Sequence, residues 1–203
     1  MTASARIVLA THNPGKIAEI AAALKEVEIE VLGIEALDDR DPVEETGTSF
    51  EENARIKAEA YSLRTSLPVL ADDSGLEVDA LDGAPGVESA RYGGPGVDDA
   101  GRNRLVLEKL RGIPTERRTA RFRCVLAVAR SGLTLATFHG VVPGRIAEEP
   151  RGENGFGYDP VFFHDGIGTT FGRITRERKQ DLSHRGQAIA RLVEAVESGR
   201  LGL

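Results

Sequence analysis

At 203 residues, 40% hydrophobic and 29% charged, the chain has the composition of one globular domain able to bury a substantial core. Its formal net charge of −6 argues against general binding to nucleic acid or an acidic membrane, but leaves room for a small anion in a local basic pocket. A single cysteine, Cys124, cannot form an internal disulfide, no apolar stretch approaches spanning length, and residues 1–5 lack a signal-peptide core, so the expected location is the cytoplasm.

In chain order, the pattern predicts a strand over 6–11, a helix over 14–26 and a strand over 28–34. The first junction, Thr11-His12-Asn13-Pro14-Gly15-Lys16, is the most informative segment. Asn13 suits an N-cap, Pro14 falls at the first helical position, and Gly15 removes bulk beside Lys16. A strand end running into a helix start offers backbone N–H groups, the positive end of a helix dipole and an ammonium, a set suited to a phosphate chain. The Walker A spacing is absent, and taken by itself the segment is first a helix start that contains a lysine. Only five of the 26 basic residues are lysines (Lys16, Lys25, Lys57, Lys109 and Lys179). Lysine is preferred where a compact charge must meet phosphate, although Lys25 and Lys109 read as ordinary helix residues.

An irregular acidic loop over 35–48 carries Glu44 and Glu45, and a helix over 49–66 opens with a capping box of Ser49 and Glu52. On that helix Asn53 and Lys57 share a face beside the apolar stripe of Phe50, Ala54, Ala58 and Tyr61, which is expected to pack on the sheet. A snorkelling surface lysine would explain Lys57 equally well. A strand over 67–71, a turn over 72–75 (Asp72-Asp73-Ser74-Gly75) and a strand over 76–79 follow. Carboxylates at a strand's carboxyl end sit where α/β proteins place ligands. Neighbouring side chains point apart, so one Asp is expected to enter a site. With Glu44 or Glu45 it can hold Mg²⁺, which takes few protein ligands; the same four residues also favour plain turns.

Beyond a Gly- and Pro-rich loop over 82–97, a helix over 98–111 leads to strands near 119–130 and 133–146, joined at Ser131-Gly132. Cys124 lies in the first of these strands as a small buried residue. A loop over 147–159 precedes a buried strand over 160–163, and a last helix over 184–198 stops before Gly199. Early strands alternate with helices and later ones pair as a hairpin. That predicts an α/β fold, a mixed sheet with flanking helices, forming one domain of two lobes around a central cleft.

Two further segments stand out. Aromatics are scarce, yet Phe156, Tyr158, Phe162 and Phe163 crowd into Gly155-Phe156-Gly157-Tyr158-Asp159-Pro160-Val161-Phe162-Phe163. Phe156 between two glycines can lie open for a planar base to stack on, with Asp159 near its edge; a glycine turn with a packed ring would look similar. Ser183 reads as an N-cap, placing His184 and Arg185 in a first helical turn where the dipole disfavours cations. With Lys179 upstream, that violation makes sense if an anion or polar base edge docks there. Together these features specify a nucleotide with Mg²⁺.

At these residues the chain resembles the inosine triphosphate pyrophosphatase family, house-cleaning dITP/XTP pyrophosphatases for non-standard purine nucleotides. The likeness is nearly full length. It runs through Leu9-Ala10-Thr11-His12-Asn13-Pro14-Gly15-Lys16, Glu44-Glu45-Thr46-Gly47, Phe50-Glu51-Glu52-Asn53-Ala54, Ala71-Asp72-Asp73-Ser74-Gly75-Leu76, Gly83-Ala84-Pro85-Gly86, Ser89-Ala90-Arg91-Tyr92, Gly155-Phe156-Gly157-Tyr158-Asp159 and Leu182-Ser183-His184-Arg185-Gly186. His12 departs from the glycine that many bacterial members carry there.

The resemblance implies an elongated mixed α/β fold with a central nucleotide-binding cleft, usually a homodimer. It implies Mg²⁺-dependent hydrolysis of ITP, dITP or XTP to the monophosphate and pyrophosphate. Thr11, His12, Asn13, Pro14, Gly15 and Lys16 would bind the triphosphate, and Asn53 and Lys57 would also bind substrate. Asp73 would be proton acceptor and metal ligand, and Glu44 the other ligand, with Glu45 beside it. Ser74, Phe156, Gly157, Tyr158, Asp159, Lys179, His184 and Arg185 would bind substrate, with donors from Arg185 or the helix N–H groups favouring a 6-oxo over a 6-amino purine. A phosphohydrolase releasing orthophosphate and a non-catalytic nucleotide-binding protein are the competing functions.

Overall fold

A computed structural model describes residues 5–37 and 41–203. Residues 1–4, part of the segment read for a signal core, and residues 38–40 of the acidic loop lie outside the described residues. Seven strands form one mixed sheet in the order β2-β1-β3-β4-β5-β6-β7, flanked by helices, as the alternation of elements predicts. They are β1 (Ala5–Leu9), β2 (Ile29–Leu32), β3 (Val69–Val78), β4 (Thr119–Arg130), β5 (Leu133–Ile146), β6 (Phe162–His164) and β7 (Thr169–Thr170). β1 is parallel to both β2 and β3, whereas β6 is antiparallel to β5 and β7. The helices are α1 (Pro14–Glu26), α2 (Phe50–Ser62), α3 (Asp99–Lys109), α4 (Arg176–Leu182) and α5 (His184–Glu197).

Local chemistry explains most boundaries. Asn13 caps α1 by accepting from the Gly15 and Lys16 N–H groups, and Pro14 occupies the first turn. At α2 the capping box is complete: Ser49 accepts from the Glu52 N–H, and the Glu52 carboxylate accepts from the Ser49 N–H. Ser49→Ala is expected to cost about 1 kcal/mol of stability, read from the denaturant midpoint; an unchanged midpoint would mean that packing alone holds this end. Between β4 and β5, Ser131 and Gly132 have φ of 53° and 78°, the left-handed pair that a two-residue hairpin turn requires.

Three expectations are corrected. Residues 72–75 form no turn, because β3 continues unbroken through them from Val69 to Val78; the carboxylates' turn preference is overridden by the buried partners described below. A separate helix, α4, capped by Thr175, precedes Ser183, so Ser183 ends one helix as the next begins. Phe163 is half-exposed beneath the Arg145 guanidinium rather than in the core, while Phe162 is fully buried.

The chain divides into two compact units. The first holds residues up to Asp73 together with Cys124–Gly140 and Arg185–Leu203; the second holds Ser74–Arg123 and Val141–His184. In the first unit, Ile7 and Leu9 of β1, Ile20 and Leu24 of α1, Leu126 and Val128 of β4, and Ala188 and Leu192 of α5 share one core. In the second, Leu76, Val106, Phe122, Ile146, Val161, Phe162 and Phe171 form another. Its aromatic centre has the Phe122 and Phe162 rings 4.4 Å apart and tilted at 45°.

Candidate active site

In the first unit the sheet's carboxylates are sorted into two environments. Asp72 is 1% exposed and fully engaged: it pairs with the Lys16 ammonium, accepts from Arg185 Nε at 3.0 Å and lies 3.1 Å from the Cys124 thiol. Burial alone would raise its pKa, but the Lys16 and Arg185 charges hold it well below the usual carboxylate range. The same burial, with the Asp72 charge beside it, pushes the Cys124 thiol well up, so the cysteine stays a neutral donor.

Asp73 faces elsewhere. Its Oδ1 lies 3.5 Å from Lys57 Nζ, and its Oδ2 is buried with no protein partner. Burial raises its pKa to about 6 against the pull of Lys57 and Lys16, with Glu45 and Asp72 adding repulsion. Lys57 is itself held in place, donating to Glu45 Oε1 at 2.6 Å and to the Asp72 carbonyl at 2.8 Å. It is therefore no snorkelling surface lysine. Despite its burial, the Asp73 and Glu45 charges raise its pKa, so it stays an ammonium.

The loop that brings Glu45 here is tied down by Asn53. This fully buried side chain accepts from the Gly47 N–H at 2.8 Å, and its Nδ2 has no protein partner. Glu44, one residue earlier, is exposed. Among the described residues no three His, Cys, Asp or Glu side chains converge as a closed metal centre would require. Asp73 Oδ2 is nonetheless a hard oxygen donor left over in a buried position, which fits a cation that takes one or two carboxylates and keeps water for the rest of its shell.

At the head of α1, Thr11 Oγ1 accepts from the Asn13 N–H at 3.2 Å, and Asn13 Oδ1 takes the Gly15 and Lys16 N–H groups at 2.9 and 3.2 Å. His12 and Pro14 are exposed, while Thr11, Asn13, Gly15 and Lys16 are half-buried.

Arg185 departs most from expectation. The positive charge at the start of α5 is answered by the protein itself, because Arg185 is 2% exposed and its Nη1 donates to Glu19 Oε2 at 2.6 Å while its Nε donates to Asp72. Glu19 carries no motif; its only mark is a carboxylate beside the buried stripe of α1, where it is itself buried. His184, in the second unit, stacks on Phe122 with ring centroids 4.7 Å apart and planes 13° from parallel.

The second unit also holds Ser74, half-buried on β3, and residues 155–159. Asp159 is buried: its Oδ2 accepts the Phe156 N–H at 2.8 Å and Lys179 Nζ at 2.7 Å. The same ammonium lies 4.4 Å over the half-buried Phe156 ring, a cation–π contact, so one face of that ring is already covered. Tyr158 is buried and donates to the Ser89 carbonyl at 2.8 Å; burial raises its phenol pKa. No local motif marks Asp99 and Asn103 of α3, which bind the backbone of Gly157.

Residues 7–195 match the Ham1 family. The chain belongs to that family. Among its relatives, the dITP/XTP pyrophosphatase of Geobacillus kaustophilus is 49% identical over 191 residues, covering 94% of each chain. That of Bacillus subtilis is 46% identical over 191 residues, covering 94% of this chain and 96% of its own. The fold is similar to that of a HAM1 protein from Coxiella burnetii, with a TM-score of 0.87 at 42% identity over 96% of this chain and 99% of that one. The Ham1 protein of Staphylococcus aureus gives a TM-score of 0.86 at 40% identity, with the same coverage. Membership of the Ham1 family thus covers nearly every segment singled out in the sequence.

Proposed function

We propose that this chain is an enzyme that hydrolyses the non-standard purine nucleoside triphosphates dITP, ITP and XTP to the monophosphate and pyrophosphate. The observation that carries the reading is Asp73: a buried carboxylate with one oxygen beside an ammonium and the other without a protein partner, in a chain whose near-full-length relatives are named dITP/XTP pyrophosphatases. The chain works as a cytoplasmic homodimer.

In this reading Asp73 and Glu44 hold Mg²⁺, and Glu45 sets Lys57. Glu45 already accepts from that ammonium, which leaves its exposed neighbour as the second ligand. When bound, Mg²⁺ neutralises charge on the leaving pyrophosphate and polarises the phosphate oxygens. A carboxylate that titrates near pH 6 suits Asp73 to take the proton of the attacking water. Thr11 to Lys16, with Lys57 and Asn53, bind the triphosphate. Ser74, Phe156, Gly157, Tyr158, Asp159, Lys179, His184 and Arg185 receive the nucleoside, Arg185 doing so as a guanidinium fixed by Glu19 and Asp72. A 6-oxo group is an acceptor and suits such donors, whereas a 6-amino group leaves them unmatched.

The test is purified protein with Mg²⁺ and a panel of ITP, dITP, XTP, ATP and GTP, measuring pyrophosphate and orthophosphate separately. Pyrophosphate from the first three, with ATP and GTP far slower, is the expected result. Orthophosphate would replace the reading with a terminal phosphohydrolase, and binding without turnover with a nucleotide sensor.

The two glutamates are separated by titrating activity with Mg²⁺. Glu44→Gln is expected to raise the Mg²⁺ needed for half-maximal rate by about tenfold or more, the usual effect of weakening a metal's hold. Glu45→Gln should leave that requirement near wild type while lowering kcat through a displaced Lys57. The opposite pattern would make Glu45 the ligand.

A further inference from the structure

We propose that Asp99 and Asn103, four residues apart on α3, form a clamp on Gly157 that fixes the base-stacking ring and thereby sets the preference for 6-oxo over 6-amino purines. The inference rests on the reading that residues 156–159 receive the base.

Gly157 is in the left-handed region with φ of 62°, and a Cβ placed on it would meet nothing within 4 Å. Conformation, not crowding, is what calls for glycine there. With no side chain, the residue can be held only by its backbone, and both of its polar groups are held. Its N–H donates to Asp99 Oδ2 at 2.7 Å, and its carbonyl accepts from Asn103 Nδ2 at 3.0 Å. The two bonds fix the peptide planes on either side of a Cα whose torsions would otherwise rotate at little cost.

Both clamp residues are held in turn. Asp99 follows the Asp98 N-cap and gives its second oxygen to Arg102 at 2.5 Å; Asn103 is 4% exposed. From the other side, Asp159 and Lys179 hold the Phe156 N–H and ring. Phe156 is thus set at two points, by the buried Asp159–Lys179 pair and, one residue along, by α3.

Stacking on a ring tolerates any base, because every base has a π-face. Hydrogen-bond readout of the purine 6-position does not tolerate slack, because such bonds weaken steeply with misalignment. A loosened ring therefore harms the well-matched substrate more than the poorly matched one. Asp99 and Asn103 are positioning residues, acting through Gly157.

The experiment measures kcat/KM for ITP and ATP in Asp99→Ala, Asn103→Ala and Asp99→Asn, together with hydrogen exchange of the residue 156–159 amides in nucleotide-free protein. Losing one such bond should lower ITP turnover about tenfold in each alanine variant, with ATP changed less than about threefold and Gly157 exchange accelerated. Asp99→Asn keeps an acceptor in place and should retain most of the ITP preference. An equal fall for both substrates, or an unchanged ITP/ATP ratio despite faster exchange, would make the clamp purely structural and overturn the proposal. If the alanine variants fail to fold, Asn103→Asp decides, since it keeps the volume but turns the donor into an acceptor facing the Gly157 carbonyl; it too should narrow the ratio, and an unchanged ratio overturns the proposal. Wild-type protein that shows no ITP preference would refute the functional reading instead, and the exchange data would still report whether the clamp holds the loop.

Discussion

Asp73→Asn is expected to give a protein that is inactive yet harder to unfold. Asp73 titrates near 6 in the folded chain against an ordinary value of 3.8, because burial disfavours its charge more than Lys57 and Lys16 favour it. Between those two values the native state keeps a proton that the unfolded state has lost, so this group's contribution to stability falls as pH rises from about 4 to about 6 and stays low above that. A shift of two units corresponds to roughly 3 kcal/mol, and a neutral amide removes most of that penalty; allowing for the lost attraction to Lys57, the gain at pH 7.5 is about 1–2 kcal/mol. For a chain of this length that raises Tm by about 2–8 °C. The measurement is thermal unfolding of metal-free wild type and variant at pH 7.5 and pH 4.5. The gap between them should be large at the higher pH and nearly closed at the lower. The amide is a poor metal ligand and no base, so turnover of ITP should fall about a thousandfold or more, within the range that general-base and metal contributions together supply. A variant that melts lower at pH 7.5 would show that the Lys57 pairing outweighs burial, and an active variant would remove Asp73 from the mechanism.

Arg185→Ala should do the reverse, destabilising the fold severely. Its guanidinium serves two buried carboxylates, Asp72 and Glu19, which are 1% and 5% exposed. Removing it takes from Glu19 its bond to Nη1 and from Asp72 its bond to Nε, while Lys16 and the weak Cys124 donor still face Asp72. Breaking a buried pair in this way costs about 3–5 kcal/mol, a large share of the stability of an ordinary domain. Arg185→Lys should recover only part of the loss, since one compact ammonium cannot span both carboxylates as a planar fork does. Denaturant midpoints report the cost. Acid unfolding gives a second reading. Asp72 is held well below its ordinary value of 3.8, so its stabilising contribution is present at neutral pH and is lost progressively as pH falls from about that ordinary value towards the depressed one. Without Arg185 its pKa rises, and acid unfolding should begin at higher pH. A variant as stable as wild type, with an unmoved acid transition, would show that the network contributes nothing net.

Set side by side, the two substitutions explain why adjacent aspartates behave so differently. Both lie on one continuous strand, where successive side chains point to opposite faces. One face meets Lys16, Arg185 and Cys124; the other meets Lys57 and leaves an oxygen over. The alternation makes one aspartate a structural anchor and leaves its neighbour available for chemistry.

Some of this was written in the sequence alone. Asn13 with Pro14, and Ser49 with Glu52, satisfy helix-end N–H groups within three residues, so their starts are fixed by local geometry and lie where the pattern puts them. The strands around Ser131 and Gly132 are equally legible, because a two-residue turn sets their register. Motif order along the chain sufficed to identify the family. Only tertiary structure decided the rest. Residues 72–75 carry a strong turn preference, yet run as strand because partners 56 residues earlier (Lys16) and 113 residues later (Arg185) neutralise Asp72 inside the core. In sequence Arg185 is only a positive charge at a helix start, and its pairing with Glu19 and Asp72 is visible in the fold alone. Glu19, Asp99 and Asn103 carry no local signature, because each acts on a group distant in sequence: the Arg185 guanidinium for one, the Gly157 backbone for the other two. Capping and turn chemistry act over a few residues and can be read from them. The pairing of buried charges depends on which distant segments the fold brings together, and no local pattern encodes that.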